Sequence, residues 1–248
     1  MMKKILLLFA IALPLVLISC GDKEDEPGTP DNHVYVDLGQ PSGTLWATCN
    51  VGANSPEEFG DYFAWGETAP KDCYDWKSYK WGDWEVDTIS ENYYQVDETW
   101  YKYYDKNWTD DGFVEGDGKT ELDPEDDAAY VNWGSKWRTP TLEQFQELVE
   151  YCDWQWAKLK GVNGRLVTGP NGKSIFLPAS GGYSEYNYHN GRFGYYWSRT
   201  RCSSDKLAIE AADQGHAYIL FLDSGGEEVW YNTRYNGQSV RPVRVSKK

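Results

Sequence analysis

Hydrophobic and polar positions follow three different rhythms along the chain. Residues Ile5 to Val16 are apolar without a charge, interrupted only by Pro14. From residue 34 onward the apolar runs are short. Val34, Val36 and Leu38 alternate with Tyr35 and Asp37, the period-two pattern of a half-buried strand. Gln40 to Gly43 reads as a turn, Thr44 to Thr48 as a second strand and Asp61 to Trp65 as a third. Between them, Ser55-Pro56-Glu57-Glu58 places a cap, a first-turn proline and an acidic third residue in order, which predicts a short helix stopped by Gly60. Asp123-Pro124 opens another helix that runs through Ala128 and Ala129 to Gly134.

The period changes to three and four at Thr141. Thr141-Leu142-Glu143-Gln144 is a capping box, and Leu142, Phe145, Leu148, Val149 and Cys152 fall on one helical face. After it the pattern returns to strands. Arg165 to Thr168 and Lys173 to Leu177 flank Gly169-Pro170-Asn171-Gly172, a hairpin signal. Tyr195 to Ser198, His216 to Leu222, Glu228 to Asn232 and Ser239 to Val245 complete the series. Strands, a few helices and then strands again describe an α+β fold with short antiparallel strands, two or three flanking helices and long loops.

Residues about 73–120 fit neither rhythm. They carry many tyrosines and tryptophans and no sustained aliphatic period, so they are expected to form a long, partly ordered insertion in a single domain spanning 33–248. Here composition matters. The chain holds 13 Trp, 19 Tyr and 24 Gly, so its core must be built largely from rings and its turns from glycine. The net charge is −15, and Trp81 to Tyr130 alone contains sixteen carboxylates against three lysines. Such a field repels polyanions, which excludes a nucleic-acid partner.

The amino-terminal run reads as an export leader. Lys3 and Lys4 precede the apolar stretch, and Leu17-Ile18-Ser19-Cys20 ends it. Small residues beside the cut and a thiol to acylate make residues 1–19 a lipoprotein signal peptide and Cys20 the lipid anchor, carrying palmitate-type chains. The run is too short to be read as a membrane-spanning helix, which needs ~20 apolar residues. Residues 20–32, rich in Asp, Glu, Pro and Gly, form an acidic flexible tether. The remaining cysteines, Cys49, Cys73, Cys152 and Cys202, are even in number and match no zinc spacing. In an exported chain they are structural thiols or two disulfides, with three connectivities open.

Two sets of residues offer binding chemistry. Trp76, Trp81, Trp84, Tyr93, Trp100, Tyr103 and Trp108, with their neighbours Tyr74 and Tyr79, supply ring faces, and Tyr183, Tyr186, Tyr188 and His189 form a second aromatic patch in a Gly-flanked loop. Sugar rings have apolar faces that pack on Trp and Tyr, while carboxylates accept their hydroxyl protons. The alternative is that these rings are the core of an insertion poor in aliphatics. Asp110, Asp111, Glu115 and Asp117 cluster in a glycine-containing stretch whose oxygens suit calcium, although their spacing is not that of an EF-hand. Read plainly, they are a solvated acidic loop. Catalytic motifs are missing: no Gly-x-Ser-x-Gly, phosphate loop or His-Glu-x-x-His occurs, and His33, His189 and His216 lack metal spacing. A carboxylate pair for glycoside hydrolysis is the enzymatic alternative to a binding module. A structural, fimbria-like envelope component is the third.

Six segments in order resemble one family. They are Val36-Asp37-Leu38-Gly39 with Pro41 to Ala47, Gly60-Asp61-Tyr62-Phe63-Ala64-Trp65-Gly66-Glu67, Trp137-Arg138-Thr139-Pro140-Thr141, Ser174 to Ala179, Gly194-Tyr195-Tyr196-Trp197-Ser198, and Ser239-Val240-Arg241-Pro242-Val243. Together they look like the Fibrobacter succinogenes major paralogous domain of Bacteroidetes lipoproteins. The resemblance implies a C-type-lectin-like fold, related to formylglycine-generating and collagen-like adhesin carboxy-terminal domains, with a long loop excursion that hosts binding. The calcium-dependent sugar tripeptides of that fold are absent from this chain, and a cysteine pair for formylglycine-type chemistry is missing beyond Cys152. The stretch starting Lys23-Glu24-Asp25 resembles a surface-export signal, which implies the outer face of the outer membrane. The expectation is therefore a surface-tethered, non-catalytic module for adhesion to glycan or glycoprotein.

Overall fold

The computed structural model describes residues 32–75, 78–81, 119–184, 187–202 and 215–245, together with the backbone of 89–96 and 99–106. Its strands, in chain order, are β1 (Tyr35–Asp37), β2 (Thr44–Ala47), β3 (Ile89–Val96), β4 (Thr99–Lys106), β5 (Asp153–Leu159), β6 (Val162–Thr168), β7 (Ser174–Pro178), β8 (Gly182–Tyr183), β9 (Asn187–Tyr188), β10 (Gly194–Arg201), β11 (His216–Leu222), β12 (Glu227–Thr233) and β13 (Val243–Val245). Two helices, α1 (Ala128–Trp133) and α2 (Leu142–Tyr151), lie between β4 and β5. The strands form small antiparallel sheets: β1-β2-β13, β5-β6-β7, β10-β11-β12, and the pairs β3-β4 and β8-β9. The first and last strands both pair with β2, so the two ends of the domain share one sheet.

Helix α2 forms where its capping box predicts. The Gln144 amide donates to Thr141 Oγ1 at 3.2 Å and the Thr141 amide to Gln144 Oε1 at 2.9 Å. Two donors at the helix start are thereby satisfied. Leu142, Phe145 and Leu148 are buried, while Cys152, expected to continue that face, is instead the extended residue that ends the helix. Phe145 and Leu148 join Leu38, Trp46, Leu177, Leu220 and Val243 in the first core. Burying one such side chain contributes roughly 1.5–3 kcal/mol. Helix α1 starts at Asp127, whose buried carboxylate accepts from the amides of Ala129 and Thr139 and from the Thr139 hydroxyl. One side chain thus caps the helix and ties it to the segment leading into α2.

The second core is aromatic: Phe63, Trp65, Trp137 and Trp197, with Val51 and Ile219. A buried indole needs an acceptor for its N–H. Trp65 Nε1 donates to the Ser198 carbonyl at 2.8 Å and Trp197 Nε1 to the Phe63 carbonyl at 2.7 Å. These reciprocal bonds fasten the segment 63–65 across β10. That segment, expected as a strand, makes only an isolated antiparallel bridge from Phe63 to Gln238.

Other expectations are corrected. Residues 55–58 form a turn, not a helix. The Glu58 amide bonds the Ser55 carbonyl, and the chain is then drawn back by Asn50 Nδ2 on the Phe59 carbonyl and the Asp61 amide on the Val51 carbonyl. The strand expected over 239–245 is confined to β13. Residues 239–242 bond in succession to β10, to Val51 and to Ala47, and Pro242 has no N–H to extend a ladder. β5 was not anticipated. It pairs with β6 through a two-residue turn in which Lys160 and Gly161 both have positive φ, 46° and 92°, the mirror-image turn that suits a hairpin's twist. Cys49, Cys73, Cys152 and Cys202 form no disulfide. Cys152 packs on the first core, whereas Cys202 packs with Leu142 and Tyr218, so they serve as apolar side chains on different elements.

Within the expected irregular insertion, β3 and β4 form a regular hairpin with Val96 opposite Thr99 and Ile89 opposite Lys106. Trp81 and Lys119, at the two ends of the described part of the domain beside this insertion, are tied together. Trp81 Nε1 donates to the Gly66 carbonyl at 2.8 Å. Lys80 Nζ and Lys119 Nζ lie 4.1 Å and 5.4 Å from the centre of its ring, and both lysines pair with Asp126.

Candidate ligand-binding surface

The sequence placed most of its ring candidates around the insertion. There the structure separates them. Tyr74 and Tyr79 are buried, a correction to their expected place on a platform. The Tyr79 hydroxyl donates to the Trp65 carbonyl at 2.6 Å and that of Tyr74 to the Tyr62 carbonyl, so both rings are packing groups with their polar ends used internally. Trp81 is half-buried in the stem just described, between two lysines. Tyr93, Trp100 and Tyr103 lie on the hairpin, opposite Lys102, Gln95 and Asn92. Trp76, Trp84, Trp108 and Tyr186, the acidic set Asp110, Asp111, Glu115 and Asp117, and Cys20 lie outside the described residues.

Of the second patch, Tyr188 and His189 meet, whereas Tyr183 packs against Tyr62 and Tyr74 instead. Two glycines make that meeting possible. A Cβ on Gly181, whose φ is +66°, would lie 2.1 Å from the Tyr188 carbonyl oxygen, and one on Gly182 would lie 2.6 Å from the Tyr188 hydroxyl. β9 and the turn after it therefore close directly onto β8. The turn is drawn tight by the amides of Arg192 and Phe193, which both bond the His189 carbonyl at 3.0 and 3.1 Å, and by Gly191 N on the Ala179 carbonyl at 2.7 Å. His189 itself adopts φ +63°, a left-handed conformation uncommon for a side-chain-bearing residue.

Five rings meet over this turn. His189 stands edge-on to Tyr188 at 5.1 Å and to Phe193 at 4.8 Å. Tyr195 lies 6.0 Å from Tyr188 and 5.5 Å from Phe221, its partner across β10 and β11. Phe193 lies 5.6 Å from Phe221. His189 is exposed, and the other four rings are half-buried, so the cluster has an open side. Polar groups border it: His189 Nδ1 is 3.2 Å from the Tyr195 hydroxyl, and Asn190 and Arg192 are exposed. Burial raises the Tyr188 hydroxyl above its ordinary range. Phe193, Tyr195 and Phe221 were not recognised from the sequence. Phe221 and Tyr195 read as ordinary strand residues, and the register that places them side by side is a long-range property.

Elsewhere, a cavity of about 10 Å³ lies between Trp65, Glu67, Asp126, Thr139 and Trp197. It is the size of a single water. Among the described residues no three His, Cys, Asp or Glu side chains gather to hold a metal. His33 stacks on Trp133 at 3.7 Å and His216 meets the edge of Tyr231 at 5.4 Å, so both serve in aromatic packing. No family model matches the chain, and neither the curated proteins nor the solved structures give a match.

Tyrosine burial has a measurable consequence. Tyr74, Tyr195 and Tyr196 are each pushed up to about 12 by burial, from an ordinary value of 10. A phenol whose folded pKa exceeds its unfolded one keeps its proton more tightly in the fold. Its contribution to stability is therefore intact below pH 10 and is lost as pH rises towards 12. The melting midpoint is expected to fall steeply over that window, with the 295 nm absorbance of these phenolates appearing only as the protein unfolds. Full phenolate absorbance at pH 11 in a still-folded chain, followed by circular dichroism, would contradict this.

Proposed function

We propose that this chain is a surface-tethered outer-membrane lipoprotein whose C-type-lectin-like domain binds glycan or glycoprotein without catalysis. The leader residues 1–19, the thiol of Cys20 and the acidic tether support the location. The lectin-like reading is supported by the six ordered motifs and by an architecture of small antiparallel sheets, two helices and first and last strands on one sheet. The observation that carries the binding reading is the open aromatic cluster of Tyr188, His189, Phe193, Tyr195 and Phe221, with hydroxyl, imidazole, amide and guanidinium groups at its border. Rings offering both faces and edges beside a few fixed polar groups are the chemistry that holds a saccharide.

The test is a glycan array probed with the full chain in detergent, run with calcium and with a chelator, followed by incubation of the same glycans with the protein. Retention of a defined subset with no released product is the expected result. Product release would establish the carbohydrate-active enzyme instead. An array without signal would leave the structural envelope component.

A further inference from the structure

We infer that His189 and Tyr195, with the ring faces of Tyr188 and Phe193, form a subsite for one uncharged pyranose ring. This rests on the glycan-binding reading and makes it specific to one place and one class of sugar.

Three observations converge there. The first is backbone strain. His189 holds φ +63°, a conformation that glycine or asparagine adopts more readily. That backbone sets the imidazole edge-on to Tyr188 and Phe193 and beside the Tyr195 hydroxyl, with the residue still exposed. The second is rigidity. The turn cannot slide, because Gly181 and Gly182 lie in direct contact with it and Asn163 Nδ2 holds the Gly191 carbonyl at 2.9 Å. The hydroxyl end of the Tyr188 ring lies against Gly182, where a Cβ would come within 2.6 Å of it. A seat that is already ordered loses little entropy on binding. The third is polarity. The Tyr195 hydroxyl and His189 Nδ1 bond each other at 3.2 Å, and whichever donates, one donor and one acceptor remain between the Tyr195 oxygen and His189 Nε2, the pairing that neighbouring hydroxyls on a pyranose require.

The charge around the seat points to a neutral sugar. One cation, Arg192, lies at its border with its guanidinium carbon 5.5 Å from the centre of the Phe193 ring. One carboxylate, Asp223, adds to the rise of the Tyr195 hydroxyl, its Oδ1 already accepting the Gly225 and Gly226 amides at 2.6 and 2.9 Å. These offset each other, and the net charge of −15 disfavours acidic sugars at long range.

The experiment is saturation-transfer NMR on the full chain in detergent micelles, with the methyl glycosides of glucose, galactose, mannose and N-acetylglucosamine and methyl glucuronide as the acidic counterpart. At least one neutral glycoside should receive saturation at its ring C–H protons, and the glucuronide none. His189→Ala should reduce the signal about tenfold. Tyr195→Phe, which keeps the ring and removes only a hydroxyl, should reduce it about fivefold, the effect of one lost hydrogen bond. Tyr151→Ala, at an exposed ring in the last turn of α2, should leave it unchanged. Melting curves would confirm that each variant is folded. Saturation that survives both cluster substitutions, or that favours the glucuronide, overturns the subsite while leaving glycan binding in place. An array hit with none of the neutral glycosides saturated does the same. A silent array together with silent NMR overturns both readings.

Discussion

Arg241→Met is expected to destabilise the domain by about 3 kcal/mol, the net of three orphaned acceptors and one relieved buried charge. Arg241 is fully buried, and every arm of its guanidinium is used. Nε donates to Asn50 Oδ1 at 2.8 Å, Nη1 to the Ala47 carbonyl at 3.0 Å and Nη2 to the Phe176 carbonyl at 3.0 Å. The three acceptors belong to the end of β2, the loop after it and β7, while Arg241 sits in the segment leading to β13. One side chain therefore fastens the terminal sheet to the β5-β6-β7 sheet. No carboxylate is among these partners, so burial pulls the guanidinium below its ordinary value, yet arginine stays charged in any case. Methionine fills similar length and relieves the buried charge, but leaves three buried acceptors with nothing to accept. Each orphan costs on the order of 1–3 kcal/mol, and the relieved desolvation offsets part of the sum. The melting midpoint should drop by roughly 6–12 °C for a domain of this size. Arg241→Lys should fall between, since a single ammonium cannot reach three acceptors in a planar fork. A Met variant that melts with the wild type would show that the carbonyls find other donors and that the guanidinium holds nothing together.

This arginine also illustrates which parts of the structure the sequence discloses. Ser239 to Val245 read as one strand. The structure instead sends its bonds to three different segments and turns Arg241 inward. Local devices were legible. The capping box of α2, the helix face of Leu142, Phe145 and Leu148, the turn between β6 and β7 and the whole of β11 follow from residues within one or two turns of each other. The helix expected at Ser55 failed for the same reason that α2 succeeded. Its cap was present, but no apolar face followed it, and Asn50 and Val51 offered the backbone better bonds. The β3-β4 hairpin was hidden because its rings fall in adjacent pairs, Tyr93-Tyr94, Trp100-Tyr101 and Tyr103-Tyr104, which breaks the period of two that signals a strand. The aromatic cluster was half visible. Tyr188 and His189 stood out in a glycine-flanked loop, whereas Phe193, Tyr195 and Phe221 reach it only through the close approach at Gly181 and Gly182 and the β10-β11 register.

Under the lipoprotein proposal, Cys20→Ser should abolish lipid attachment altogether, a larger effect than any substitution in the domain can produce. Serine differs from cysteine by one atom and preserves the size of the side chain at the cut. What it removes is the thiol. A cysteine thiol loses its proton near pH 8–9 and becomes a good nucleophile, whereas a serine hydroxyl stays protonated at any physiological pH. In cells expressing the full chain and fed labelled palmitate, the wild-type protein should carry label, run at the mass of residues 20–248 plus lipid, and partition into detergent. Cys20→Ser should carry no label, keep residues 1–19 and remain as precursor. The anchor's strength follows from chain length, since each buried methylene contributes about 0.8 kcal/mol and one chain alone holds only marginally. A single acyl group would thus leave part of the protein free in the medium, and multiple chains none. Equal labelling of both proteins would place the acylation elsewhere. No label on the wild type would remove the lipid, and with it the argument that a tether of acidic, proline- and glycine-rich residues exists to hold the aromatic cluster away from the membrane.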